Sequence, residues 1–218
     1  MLFGEKNVIY IFDESTHDRD SLQAAWSNPL DDTSGIIKSI RNADPALPIK
    51  VVISTNGGSI IACQRIITAL RLHPSKFVVY CNEAYSAGTV ISLCAEEVVM
   101  NKYSLMTKID PIFQGKEENF YYLSKSDVDN EKRLTEFDYA MKRSIASFNT
   151  MEKILREAMP QYDKLGVVVR EKLIYSELRH FTSFNADEMK SMGFNIREPR
   201  DDEEKYFGYF QAKCHSAK

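Results

Sequence analysis

Ser86 lies in the stretch NEAYSAGTVISLCAEEVVM, between a strand-like run and a helix-like run, with Ala87 and Gly88 directly behind it. A serine hydroxyl is a weak nucleophile at neutral pH. It attacks a carbonyl only when a base takes its proton and preorganised donors receive the oxyanion that forms. The sequence supplies the donors first. Ala87 follows the serine at a helix start, where backbone N–H groups lack an intrahelical acceptor and the helix dipole favours negative charge. Gly57 and Gly58, in the earlier turn STNGGS, carry no Cβ and let a second amide approach the same point. One missing oxyanion donor costs ~3 to 4 kcal/mol of transition-state stabilisation, so two such turns would form the core of an acyl-transfer site. The same residues also fit plain structural duty. A serine before an apolar helix can be its N-cap, and a glycine pair can simply make a turn, so residue types alone leave both readings open.

These two turns need elements to hold them. Asn7 to Phe12, NVIYIF, is a β-rich apolar run that ends in the charged connection DESTHDRDS. Gly35 to Ala43 puts Ile36, Ile37 and Ile40 on one helical face. Ile49 to Ile53 is a strand buried on both faces, followed by the glycine turn and a helix from Ile60 to Leu72. The pattern then repeats, with strand Phe77 to Tyr80, the Ser86 turn, helix Thr89 to Ala95 and a further strand Val98 to Asn101. Strands alternating with helices imply an α/β fold with a mostly parallel sheet and right-handed crossovers, whose ligands gather at the carboxyl ends of the strands. Both glycine-containing turns fall at those ends and can face one cleft. Farther on, Leu134, Phe137, Met141, Ile145, Phe148, Met151, Leu155 and Ala158 recur at helical spacing, which predicts a long amphipathic helix. A second helix after Pro160 to about Leu178 and a short one over ADEMKSMG follow, with Gly193 suited to the helix C′ position. The expected organisation is one domain over 1–218: an α/β core over 1–125, a helical region over 126–196 and a charged, solvated tail over 197–218 that includes PRDDEEK.

Composition narrows the function. With 44% hydrophobic and 27% charged residues, the 218-residue chain has the make-up of an ordinary globular protein. A net charge of -3 argues against a nucleic-acid or anionic-membrane surface, which relies on clustered Lys and Arg. No apolar run approaches the ~18 to 20 residues of a membrane span, so no span is expected and the chain reads as cytoplasmic. Cys63, Cys81, Cys94 and Cys214 have no metal or redox spacing; buried free thiols are expected for those in apolar segments, with no metal and no cofactor.

Three blocks, STNGGSIIACQRIITAL, EAYSAGTVISLCAEEVVMNKYSLMTKIDP and FTSFNADEMKSMGF, resemble in order the motif blocks of the serine dehydrogenase proteinase family. That family belongs to the Clp-protease and crotonase superfamily and is related to signal peptide peptidase A. The resemblance runs from about Val8 to Ile196 and is most specific around Gly57 and Ser86. It implies a fold of stacked ββα units with a long C-terminal helical region, and a serine peptidase acting through an acyl-enzyme. It also implies Ser86 as nucleophile and an oxyanion hole built from the Gly57–Gly58 turn and Ala87, with the amides of Gly58 and Ala87 as donors. A lysine base follows from the family's D-x-A-x-K pattern, matched by Asp138, Ala140 and Lys142. Lys142 falls about 100° around the helix from Met141, on the flank of the apolar stripe, where desolvation can favour the neutral amine a base needs. A peptide or protein substrate and a homo-oligomer are the partners implied.

The chain also departs from the family pattern. Asn56 replaces the proline of T-P-G-G, and the family's L-G-P-V-D-P reads MTKIDP, which brings Lys108 near the cleft as a rival base. Asp110 matches the aspartate of that pattern and His180 a histidine of a W-T-H-D-Y-P block whose Trp, Asp and Pro are missing here; both are secondary candidates. Two other functions share the scaffold: a catalytically silent member that binds peptides or partners in the same cleft, and crotonase-type acyl-CoA chemistry, which also sets two amides on one oxygen.

Overall fold

The computed structural model describes residues 5–12, 33–110, 112–114, 120–122, 137–176, 178 and 182–207. In chain order, β1 (Val8–Phe12), α1 (Thr33–Arg41), β2 (Ile49–Thr55), α2 (Ile60–Leu72), β3 (Phe77–Ala84), α3 (Ala87–Leu93) and β4 (Glu97–Thr107) form the alternating core. A separate antiparallel pair, β5 (Ile112–Gln114) and β6 (Phe120–Tyr122), follows. Then come α4 (Phe137–Ala158), α5 (Tyr162–Val168), β7 (Ser183–Phe184), α6 (Ala186–Ser191) and β8 (Ile196–Arg197). The main sheet has 6 strands in the order β1-β2-β3-β4, with β7 and β8 both on β4. All its pairings are parallel except β4 with β7. The expected mostly parallel α/β architecture is present.

Side chains alternate across this sheet with the period of two that a strand imposes. Val51, Ile53, Val79 and Cys81 enter a large core shared with the helices, built from Ile66 and Leu70 of α2, Val90 and Ile91 of α3, and Phe148, Met151 and Leu155 of α4. Val52, Tyr80 and Val99 point the other way and are covered by Tyr206 and Phe207. Burying an aromatic of that size contributes ~1.5 to 3 kcal/mol. Within PRDDEEK, Arg200, Asp201, Asp202, Glu204 and Lys205 are exposed as expected of a solvated run, and Glu203 is the exception. Glu203 is buried, and it accepts from Arg197 Nη1 and Nη2 at 2.6 and 2.8 Å and from the Tyr80 hydroxyl at 2.8 Å. Arg197 also donates to Glu97 at 2.7 Å, so Glu97, Arg197 and Glu203 satisfy one another beneath the sheet.

Element boundaries moved for identifiable reasons. The fourth strand, expected over Val98 to Asn101, runs on to Thr107 because it makes an excursion and returns. Met100 pairs with Cys81 and Leu105 with Glu83, so the intervening polar residues leave the ladder. Asn101 N donates to Ser104 Oγ at 2.9 Å and Tyr103 N to Asn101 Oδ1 at 2.8 Å, closing the excursion. Pairing then resumes at Ala84↔Met106, which brings Thr107 to the end of β3. After Pro160, the expected helix starts as α5 and widens into a π-helical turn over Val169–Ile174. Gly193 takes the C′ position beyond α6 with φ 93°, as its place in the sequence suggested.

Candidate active site

β2 and β3 are parallel neighbours, so the turns that leave them emerge at the same edge of the sheet. The β2 turn is held by Thr55, whose hydroxyl accepts from Gly57 N at 3.1 Å. Gly57 has φ 104° and Gly58 φ 145°, backbone conformations that L side chains rarely adopt. The β3 turn docks directly against it. A Cβ on Gly57 would lie 2.8 Å from the Tyr85 carbonyl oxygen, 3.0 Å from Ser86 Cβ and 3.3 Å from Ala87 N. Tyr85 N donates to the Thr55 carbonyl at 3.0 Å, which ties the turns together at their roots. Gly88 brings the start of α3 onto the sheet, since a Cβ there would come within 2.6 Å of Thr55 Cγ2.

Ser86 stands between these turns with φ 50° and ψ −109°. Such a non-glycine conformation costs ~1 to 3 kcal/mol and persists only where its surroundings overdetermine it. Those surroundings are visible. Ser86 N donates to Thr107 Oγ1 at 2.9 Å, its carbonyl accepts from Val90 N at 3.2 Å, and Gly88 N reaches the Tyr85 carbonyl at 2.8 Å. The serine does not cap α3 with its side chain. Among the described residues its hydroxyl makes no hydrogen bond, and no protein acceptor meets the amides of Gly58 and Ala87. Ala87 is buried, Ser86 half-buried and Gly58 exposed, so the turns open outward from a packed base.

The remaining candidates separate. Lys108 is buried, with Nζ 3.2 Å from Asp110 Oδ2, 2.9 Å from the Ser176 carbonyl and 2.8 Å from the Leu178 carbonyl. Those acceptors match the three donors of an ammonium group, the arrangement of a structural tie. Asp110 is the carboxylate partner in it. Lys142 belongs to the backbone of α4, while its side chain and the whole of His180 lie outside the described residues. Lys153 is exposed and near Glu157. Cys63, Cys81 and Cys94 are free and buried, and burial pushes their thiols up, that of Cys94 to about 12, so none is a competing nucleophile. Cys214 lies outside the described residues. Among the described residues no cluster of His, Cys, Asp and Glu could hold a metal, and no helix is long and apolar enough to cross a membrane. Thr107 is what sequence reading missed: it stood only as one letter of MTKIDP, although a threonine at the end of a strand beside the Ser86 turn can donate and accept.

A profile of the ClpP-like SDH-type serine proteinases matches residues 28–204. The chain belongs to that family. Its relatives include two proteins of Methanocaldococcus jannaschii, both uncharacterized. MJ1495 is 26% identical over 173 residues, covering 77% of this chain and 58% of its own length. MJ0137 is 34% identical over 83 residues, covering 38% of this chain and 29% of its own length. The chain thus spans little more than half of the one and under a third of the other. Two structures of the 1510-N membrane-bound stomatin-specific protease share the fold. One, a mutant in complex with a substrate peptide, superposes with a TM-score of 0.54 at 16% identity over 91% of this chain and 78% of its own. The other superposes with a TM-score of 0.54 at 15% identity over 92% and 83%. In this chain the strained serine and its two turns occupy the strand ends where the sheet topology gathers ligands.

Proposed function

We propose that this SDH-type proteinase hydrolyses peptide bonds through an acyl-enzyme on Ser86, with Lys142 as the base. The observation that carries the reading is the contact of the two turns, with Gly57 so close to Ser86 that only a glycine fits. In the proposed reaction the Ser86 hydroxyl attacks the scissile carbonyl as its proton passes to the Lys142 amine. The carbonyl oxygen becomes an oxyanion and accepts from the amides of Gly58 and Ala87, each such donor being worth about 10²- to 10³-fold in rate. Lys142 returns the proton to the departing amine, leaving Ser86 acylated. It then takes a proton from water as the water attacks the ester, and passes that proton to Ser86 Oγ as the acyl–oxygen bond breaks and the acid product leaves.

The course of α4 supports Lys142. Arg71, at the end of α2, donates to the carbonyl of Ala158, at the end of α4, at 2.9 Å. α4 also packs on α2 and α3. Counted back at ~1.5 Å per residue, Ile60 lies ~17 Å from Arg71 and Lys142 ~24 Å from Ala158. A near-parallel course of the two helices would bring the backbone of Lys142 toward the level of the Gly57–Gly58 turn. The engaged amine of Lys108 and the exposed position of Lys153 make them poorer bases. A peptide substrate and a homo-oligomer belong to the same reading. It is tested by the second-order rate at which a fluorophosphonate inactivates the protein. Lys142→Ala should abolish the reaction and Lys153→Ala should leave it unchanged; full reactivity without Lys142 overturns the base assignment.

A further inference from the structure

We infer that Thr107 is the positioning residue of the nucleophile, an inference that rests on the reading of Ser86 as the acylated group. The backbone of Ser86 leaves the strand with φ 50° and enters no helical ladder through its own amide. That amide needs an acceptor, and the one it has is a side chain, Thr107 Oγ1 at 2.9 Å.

Thr107 is itself fixed from two sides. Its hydroxyl donates to the Lys108 carbonyl at 3.0 Å, which commits its proton there and turns a lone pair toward Ser86 N. Its carbonyl lies 2.9 Å from Thr89 Oγ1, whose single proton is shared with the Ala84 carbonyl at 2.6 Å. Thr89 thus clamps the end of β3 to the end of β4 from inside α3. Thr107 is 1% exposed, so water is a poor substitute for its hydroxyl. Beyond it, the Lys108 side chain fastens the same strand end to Ser176 and Leu178.

The β4 excursion is what delivers Thr107 to this place. Without the residues between Met100 and Leu105 leaving the ladder, the strand would not present Met106 to Ala84 and Thr107 to Ser86. The related L-G-P-V-D-P pattern has glycine where this chain has Thr107, and glycine has no hydroxyl. Ser86 N is bonded to the Cα that bears the nucleophile, and the same Cα leads into the Ala87 amide, so holding this N–H helps orient both the hydroxyl and one oxyanion donor.

The test compares wild type, Thr107→Val and Thr107→Ser in saturation kinetics with a fluorophosphonate, reading the maximal inactivation rate apart from the apparent affinity. Thr107→Val should slow the maximal rate by about 10- to 100-fold at unchanged affinity, and Thr107→Ser should restore it to within about threefold. Equal rates in wild type and Thr107→Val, or a serine variant as slow as the valine one, overturn the inference. A wild type that is never labelled overturns instead the reading beneath it. If the valine variant does not fold, amide exchange in the wild type decides. The Ser86 amide should be protected, and free exchange there would remove the hydrogen bond on which the inference stands.

Discussion

Gly57 and Ser86 approach so closely that a Cβ on the first would sit 3.0 Å from the Cβ of the second and 2.8 Å from the neighbouring Tyr85 carbonyl oxygen. The glycine is thus required by its partner turn as well as by its own φ of 104°. Gly57→Ala should destabilise the fold by ~1 to 3 kcal/mol through backbone strain and overpacking. It should also push the two turns apart and abolish labelling of Ser86. Thermal melting and probe labelling measured together check this; a stable variant with full reactivity would mean that the spacing of the turns is irrelevant.

Lys108 supplies a second prediction. Lys108→Met takes the amine from a buried carboxylate and two carbonyls, a change that costs ~3 to 5 kcal/mol when one partner of a buried pair is removed. Adding Asp110→Asn should recover part of that loss, read by urea unfolding. At a temperature where the double variant is folded, Ser86 should still react with the probe. Loss of reactivity in folded protein would restore Lys108 as the base.

The clamp beneath the sheet predicts the acid limit of the fold. The Arg197 guanidinium holds the Glu203 carboxyl at about 2, with Arg200 N and the Tyr80 hydroxyl assisting against burial. An unfolded glutamate has an ordinary value near ~4.3, so the folded state binds this proton less readily than the unfolded one. The resulting stability is complete above that ordinary value and is lost as pH falls from about 4 through about 2. Glu203→Gln should lower the urea midpoint at pH 6 and flatten its fall between pH 6 and pH 2.5. An unchanged pH profile would remove Glu203 from the account of acid stability.

Much of this architecture was legible because local patterns and tertiary contacts agree. The bounds of α2 follow from apolar spacing after a glycine turn, and Gly193 ends α6 because a positive φ is needed there. The convergence of the Gly57 and Ser86 turns could be expected from parallel neighbours alone, but their contact distances could not. Asn101 to Ser104 read as the end of a strand because polar residues interrupt its apolar run; they are an excursion whose far side is pinned by pairing with β3. Glu203 and Arg197 read as solvated charges because their partners, Tyr80 and Glu97, are distant in sequence. Thr107 stayed hidden for the same reason, since its partner amide is that of Ser86 and nothing local marks the pairing.

The most direct measurement is the site of covalent modification. The folded protein is treated with a fluorophosphonate, digested and mapped by mass spectrometry. A single adduct on Ser86, absent from Ser86→Ala, is the predicted result. Folded protein without an adduct on Ser86, or with modification only at another residue, would contradict the account.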